Sequence, residues 1–561
     1  MQVGSNFAVH VSNLAVTAAN GHEVVKVLLS GINFNLESGR FIGVIGASGC
    51  GKSTLIKALA GQITPASGQV LLAGHSILDI KDQYPLAVGY LPQFGAFHRD
   101  LTVEENLRAA VELRLPRSVS VEIREKWVAH IVELARLESF LHQPYGTLSG
   151  GQMRRMALAE ELIGDPAFLL LDELTSGLDA FSDREMMLWL RDLAHVHGKT
   201  VVLVTHATYH LEYCDSLLFL HQGRQVHFGS YEELLASHQV ESIADLFEVY
   251  QTQKIEFAPV EEQSETKITI QNLKTARPPS GWAQFPTLLR RHFQLFWRDH
   301  TQIYLHLALI LTFPALVAVF AVHGLPQVRQ LTLQVESNIV QTLAEQLLYS
   351  AEAFHAASLV SGLVMFQVIL LTLIGANNGA REIAKEKDVL AKELRAGLSP
   401  IAYVTTKFLH LLLLSGIQAF WMAWFVKTMC GFPGDLLGQF GILFATTLVM
   451  STVCLAVSAG SPSPERASLL AIYLVGFQLP LSGAALSLPD WLSTICRPFV
   501  AAYWGWSGYL KTLESTRHYD IVKQSTDTYI APYATCLIVL GFHILAGFIL
   551  AWQFVARTKI S

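Results

Sequence analysis

Charge is scarce in this chain. Of 561 residues only 15% are charged, while 51% are hydrophobic; an ordinary soluble protein carries roughly 25% charged residues. A chain of this length and apolarity exceeds one ordinary domain, and a large portion is expected in a membrane. The net charge of −6 gives no basic excess, so no nucleic-acid partner is expected. Cysteine is also scarce: six residues with no C-x-x-C pair, which argues against a structural zinc site or a disulfide scaffold. The stretch Met1 to Gly21 lacks both a basic start and a long apolar core. It does not read as a secretory signal, so the first domain is expected in the cytoplasm.

What is there begins with Gly46-Ala47-Ser48-Gly49-Cys50-Gly51-Lys52-Ser53. The apolar run Phe41 to Ile45 precedes it, and Thr54 to Ala60 follows as an expected helix. Strand, glycine-rich loop and helix are the context a phosphate-binding loop needs. Its backbone N–H groups and the helix dipole favour a phosphate. Lys52 would reach the β- and γ-phosphates, and Ser53 would offer its hydroxyl to Mg²⁺.

Residues from about 5 to 250 read as an α/β domain. Phe7 to Val11 and Val24 to Ile32 are strand candidates, and Val103 to Leu115 and Val121 to Leu141 have helical periodicity. Phe168 to Leu171 and Val201 to Val204 are short, wholly apolar runs, as in central parallel strands covered on both faces. Polar residues dominate about 251–284, read as a linker. Phe285 to Arg298 mixes Leu288, Phe293 and Trp297 with Arg290, Arg291 and Arg298, as an amphipathic helix on a membrane surface would. About six spans of roughly 20 apolar residues follow, near 302–323, 356–377, 405–427, 437–459, 467–486 and 532–555. The loop Arg381 to Arg395 is basic, whereas the loop around 324–353 holds only Arg329. The positive-inside rule therefore puts the basic loop, and with it both termini, in the cytoplasm. Trp491, Tyr503, Trp504, Trp506 and Tyr509 in the last outer stretch suit a membrane–water interface.

Further motifs come in order. Gln93 is followed by Leu148-Ser149-Gly150-Gly151-Gln152, then Asp172-Glu173 at the end of an apolar strand, then Ser176-Gly177-Leu178-Asp179, then Thr205-His206. This ordered set resembles the ATPase domain of ABC transporters over about residues 5–235. ATP hydrolysis is in-line attack by water, helped by positioning and charge stabilisation. The resemblance implies that Glu173 takes the proton from that water, that His206 contacts the γ-phosphate, and that Gln93 meets Mg²⁺ or water. Asp172 would hold Mg²⁺ with Ser53 and Gln93. Gly46, Ser48, Gly49, Cys50, Gly51, Lys52, Ser53 and Thr54 would hold ATP. So would Ser149, Gly150, Gly151, Gln152 and Asp179, the signature residues closing on ATP held by an opposite subunit. One loop and one signature per chain imply a dimer: a homodimer, or a heterodimer with a related half-transporter.

The ATPase-first order, Leu101 to Leu107 and Leu113 to Pro116 resemble the G subfamily of ABC half-transporters and its bacterial relatives. Arg381 to Tyr403 resembles the loop between the second and third spans of ABC-2 type permeases. The expected fold is thus multidomain: an α/β P-loop NTPase (ABC ATPase) domain, a connecting helix 285–298, and an all-α six-span transmembrane domain over 299–561. The resemblance implies ATP-driven export or leaflet extrusion of a lipid or amphipathic compound; the compact membrane half, with its weak match, points to a bacterial plasma membrane. An ATP-driven mechanotransmitter that passes no substrate is the alternative. Phe366, Gln367, Phe477 and Gln478 are cavity candidates or helix–helix glue; His306 and His355 stand equally open. Leu174 occupies a position where relatives commonly have proline, and neither Thr17 nor Ala18 is an aromatic that could stack on adenine. Cys50 is either a reactive thiol favoured by loop N–H groups or a small filler. Cys496 could bridge a dimer, pair with Cys430, or remain free.

Overall fold

The structure is a computed structural model describing residues 9–20, 23–84, 86–93, 95–252, 278–321, 325, 339–484 and 488–558. The expected linker lies mostly outside these residues, as do Arg329, the two ends of the chain and most of the first outer loop. The chain forms two compact units, residues 1–287 with 395–398, and residues 288–394 with 399–561.

The first unit is built on a six-stranded sheet. Its order is Arg224–Gly229, Ser216–His221, Phe41–Ile45, Thr200–Val204, Phe168–Asp172, Val88–Leu91. The first pair is antiparallel and the others are parallel. Phe41–Ile45, Phe168–Asp172 and Thr200–Val204 are buried at every position, which is why they read as unbroken apolar runs. Register brings their ends together: Val44 pairs with Val204, and Asp172 pairs with Val204. Hence the phosphate loop, Asp172-Glu173 and Thr205-His206 leave the sheet at one edge, where ligands of open parallel sheets bind.

A four-stranded antiparallel sheet contains Glu23–Leu36, Val9–Asn20, Ser67–Leu72 and His75–Ser76. Thr17 and Ala18 lie in it, paired with Val27 and Lys26. A helical part contains Val103–Arg114, Val121–Leu134 and Gly150–Leu162. The helix expected to reach Leu141 stops at Leu134, because Arg136 takes a left-handed φ of 53° and a 3-10 turn follows at Glu138–Phe140. Arg114 ties this part together. Buried, it donates to Glu160 Oε1 at 2.8 Å, to the Glu160 carbonyl oxygen at 2.5 Å and to Glu161 Oε1 at 3.4 Å.

The second unit is helical. Among the described residues five helices are long and apolar enough to cross a membrane: His300–Phe320, Gln346–Arg395, Pro400–Cys430, Leu436–Gly460 and Tyr533–Thr558. The segment expected at 467–486 is the shorter helix Pro464–Leu481, with Pro480 in its last turn. The amphipathic segment is the helix Gly281–Arg298, one turn longer than its sequence pattern. The aromatics of the last outer stretch do not sit at an interface as a group. Tyr503, Trp506 and Tyr509 lie on Ala501–Lys511 with at most 1% exposure and form the centre of this unit's apolar core, whereas Trp491 is exposed.

Charge is concentrated at one buried point of the second unit. Lys407 Nζ donates to Glu386 Oε1 at 3.0 Å and Glu382 Oε2 at 3.3 Å, and lies 3.2 Å from His292 Nδ1. Tyr403 donates its hydroxyl to Glu386 at 3.0 Å, and Arg291 forms a two-armed pair with Glu393. Burial and the nearby Lys407 ammonium push the His292 imidazole down to about 3. The intramembrane amides bond partly within the chain, Gln367 Nε2 donating to the Leu363 carbonyl oxygen at 3.3 Å. Gln367 is fully buried, and Gln478 Oε1 accepts the Ala502 N–H at 3.0 Å. Phe366 packs edge-on against Phe320, while Phe477 is exposed.

Candidate nucleotide site

Glycine is required at the first position of the phosphate loop. Gly46 has φ 150°, and a Cβ there would stand 2.2 Å from the Leu220 carbonyl oxygen. The helix Lys52–Leu59 starts from left-handed Gly51 with no side-chain cap, so its first N–H groups are left for an anion. Lys52 is buried and folds back into the loop. Its ammonium donates to the carbonyl oxygens of Gly46 at 2.7 Å and Ala47 at 3.0 Å. Burial lowers its pKa, opposed by Cys50, Glu173 and Asp172.

Cys50 corrects one reading. Its side chain is buried in the apolar core beneath the loop, and burial pushes its thiol up. Its carbonyl oxygen accepts the Gly223 N–H at 2.9 Å. The residue fills space, and a buried, protonated thiol is a poor nucleophile. All six cysteines are free within the chain, so Cys430 and Cys496 are not paired with one another.

Glu173 is the centre of the site. It has φ 55°, a left-handed conformation unusual for a side chain of this kind. Its N–H donates to the Val204 carbonyl oxygen at 2.8 Å, and its own carbonyl oxygen accepts from Ser176 N at 3.2 Å. Leu174, where a proline could have stiffened this turn, is buried in the apolar core and anchors it by packing. The Glu173 carboxylate is shared. Gln93 Nε2 donates to Oε2 at 2.6 Å, and His206 Nε2 lies 3.0 Å from Oε1. His206 Nδ1 is 3.5 Å from Lys52 Nζ. A basic, a carboxylate, an imidazole and an amide group thus face one another at the sheet edge.

Asp172 is buried, and its Oδ1 has no hydrogen-bond partner. Burial raises its pKa and Glu173 raises it further, while the Ser53 hydroxyl bonded to it pulls the other way. A bare buried carboxylate oxygen beside a serine hydroxyl suits a hard divalent cation with oxygen ligands. These residues therefore fit Mg²⁺.

Among the described residues no hydrogen bond links Ser149, Gly150, Gly151 or Gln152 to this constellation. Ser149 caps Gly150–Leu162 in a reciprocal box: its N–H donates to Gln152 Oε1 at 2.8 Å, and its hydroxyl accepts from Gln152 N at 3.4 Å. The serine-to-glutamine spacing of three is itself a helix-start signal, legible in sequence. A Cβ on Gly150 would meet nothing within 4 Å, and one on Gly151 only Leu178 at 3.8 Å. Asp179 caps Ala180–His195, accepting from Phe181 N, Ser182 N and the Ser182 hydroxyl. The described Thr17 and Ala18 offer no ring for a base.

Two family models match the chain. One, ABC transporter, covers residues 29–176, and the other, ABC-2 type transporter, covers residues 283–505. A Nod factor export ATP-binding protein I of Cupriavidus metallidurans is 36% identical over 225 residues, 40% of this chain and 72% of that protein. The chain belongs to the ABC transporter family. Its order of ATPase and then ABC-2 permease is that of a reverse-orientation half-transporter. An ABC transporter ATP-binding/permease protein of Mycobacterium tuberculosis is 39% identical over 203 residues, 36% of this chain and 23% of that protein. A spermidine/putrescine import ATP-binding protein of Trichodesmium erythraeum is 34% identical over 226 residues, 40% of this chain and 57% of that protein. The chain thus spans only part of these two relatives. A dimeric ATP-binding cassette bound to ADP and Pi in a post-hydrolysis state is 27% identical, with TM-score 0.36, over 40% of this chain and 98% of that one.

Proposed function

We propose that this ABC transporter half hydrolyses ATP at two composite sites of a dimer and uses the cycle to export, or extrude between leaflets, a lipid or amphipathic compound. The observation that carries the reading is the Glu173 carboxylate held between Gln93 and His206 within reach of Lys52. Lys52 would exchange its loop carbonyls for the β- and γ-phosphates. Glu173 would accept the proton of the attacking water, and Gln93 would orient that water. His206, bonded to Glu173, would keep the base in place and contact the γ-phosphate. Asp172 and Ser53, with Gln93, would hold Mg²⁺, which neutralises phosphate charge when bound.

The second half of each site would come from the partner. Gly150 and Gly151 have neither a left-handed φ nor a neighbour that forbids a side chain. Glycine in a helix start weakens it, so the demand for it comes from outside the chain. ATP on an opposite subunit, approached by Ser149, Gly150 and Gly151, meets that demand. Asp179 would act there as the cap that shapes the neighbouring loop. Intact Lys52, Glu173 and His206 favour a homodimer. Relatives with this cassette are named for both import and export, so the export reading rests on the fused ABC-2 type permease. The bilayer expected is a bacterial plasma membrane with the ATPase domain on the cytoplasmic side.

The test is flux in proteoliposomes. ATP-dependent movement of a fluorescent phospholipid or hydrophobic dye, lost in Glu173→Gln, supports transport. ATP hydrolysis with no flux of any compound tried, but tied to a co-purifying protein, replaces it with mechanotransmission.

A further inference from the structure

Within the second unit a cavity of about 720 Å³ runs between Leu436–Gly460 and Tyr533–Thr558. Its floor is set by the close crossing of these helices. A Cβ on Gly547 would stand 2.9 Å from the Thr452 backbone, and the groove opens beside that contact. Its rims, Leu470, Phe542 and Leu550, are large apolar side chains left exposed by the chain. It reaches from Val539 to Phe554 along one helix, which is about 22 Å at ~1.5 Å per residue. That is longer than half of the roughly 30 Å hydrocarbon core. At one end Pro498 and Phe499 roof it, beside His543.

The other end is basic. Ser461 lines the groove there, and its carbonyl oxygen accepts from Lys387 Nζ at 2.9 Å. Arg557 follows Phe554 by three residues on the same helix, hence on the same face. It is exposed and has no ion-pair partner among the described residues. An apolar slot of acyl-chain length, ending at two cations, matches a phospholipid: chain in the groove, phosphate on Lys387 and Arg557. We infer that this groove is a binding site for one glycerophospholipid of the bilayer, from the leaflet on the side of the basic loop 381–395. The inference rests on the multi-pass reading and not on what is transported.

The experiment uses the full chain in nanodiscs containing phosphatidylglycerol with a diazirine near the end of one acyl chain. Photolabelled positions are mapped by mass spectrometry, with His300–Phe320, which also exposes many apolar side chains, as the internal control. The expected result is labelling concentrated on 539–554. In Ala546→Trp, which fills the groove, that labelling falls about tenfold, as when a few methylenes lose their burial. Lys387→Glu with Arg557→Glu lowers it with the groove left open, so the inference survives if the tryptophan variant does not fold. ATP hydrolysis, read in the same samples, separates failure of this site from failure of the nucleotide-site reading. Equal labelling of the control helix and 539–554 overturns the inference. So does labelling unchanged in both variants, or efficient Phe542→Cys cross-linking between two copies, which would make the occupant a second chain.

Discussion

Glu173 Oε1 lies 3.0 Å from His206 Nε2, and Glu173 holds that place in a left-handed backbone conformation with φ 55°. Such a conformation costs on the order of 1–3 kcal/mol. Here the Val204 and Ser176 backbone bonds and the burial of Leu174 hold it. A general base typically contributes about 10²–10⁴-fold. Glu173→Gln is therefore expected to cut phosphate release by that range while leaving nucleotide binding near normal. A filter-binding assay beside a phosphate assay checks both halves. Loss of binding and hydrolysis together would mean that Glu173 holds the loop rather than the water.

Asp172 gives a prediction of opposite sign for stability and function. Its pKa is raised in the folded protein, so the ionised form is less favourable there than in the unfolded chain. The stability linked to it is full below the unfolded pKa and is lost as pH rises through the folded value. Asp172→Asn should then raise the Tm of the nucleotide-free protein by a few degrees at neutral pH, with the gain shrinking in acid. Mg²⁺-dependent ATP binding should fall. Calorimetry at several pH values checks the first part and an Mg²⁺ titration the second.

Gly151→Ala separates folding from assembly. Alanine is favoured over glycine in a helix by about 0.5–1 kcal/mol, and its Cβ meets only Leu178 at ordinary contact distance. The variant should be at least as stable as the parent, yet lose ATP hydrolysis and ATP-induced dimerisation. Ser149→Ala should lose stability as well, by about 1 kcal/mol. Urea melts and light scattering with ATP distinguish the two.

Arg114→Ala would leave the Glu160 carboxylate buried without its cation. Breaking a buried pair this way costs about 3–5 kcal/mol. Arg114→Met with Glu160→Gln should recover most of it, because only Glu161, held by Arg114 at the longer 3.4 Å, then lacks its cation. Melting of the ATPase unit by tryptophan fluorescence reads both; equal losses in the single and double variants would sink the account.

Lys407→Met should act likewise in the second unit, where the Lys407 ammonium bonds both Glu386 and Glu382, with Lys385 a second cation on Glu382. A loss of about 3–5 kcal/mol is expected, relieved when both glutamates become glutamine. Detergent-solubilised thermal melts measure it.

Particular residues show what sequence could reveal. Asp172, Glu173 and His206 were readable through the resemblance of the ordered motifs to the ABC ATPase domain, and their places at or just after apolar strands agree with it, since parallel register gathers strand ends at one edge. The φ of Glu173 was not readable, since it is imposed by contacts to Val204 and Leu174. Arg114 and Glu160 are 46 residues apart, and no local pattern couples them. Tyr503, Trp506 and Tyr509 looked interfacial because an aromatic with a polar tip suits both an interface and a core. Only three-dimensional packing separates the two. Gln367 and Gln478 stood open between cavity lining and helix–helix bonding for a related reason, since an amide in a helix suits either.

Lys52 is satisfied within its own loop, its ammonium bonded to the carbonyl oxygens of Gly46 and Ala47. On the proposed reading of the site, ATP entry would be a swap of partners for this ammonium. Such a swap would temper affinity, because each phosphate contact Lys52 gained would replace a bond it already makes.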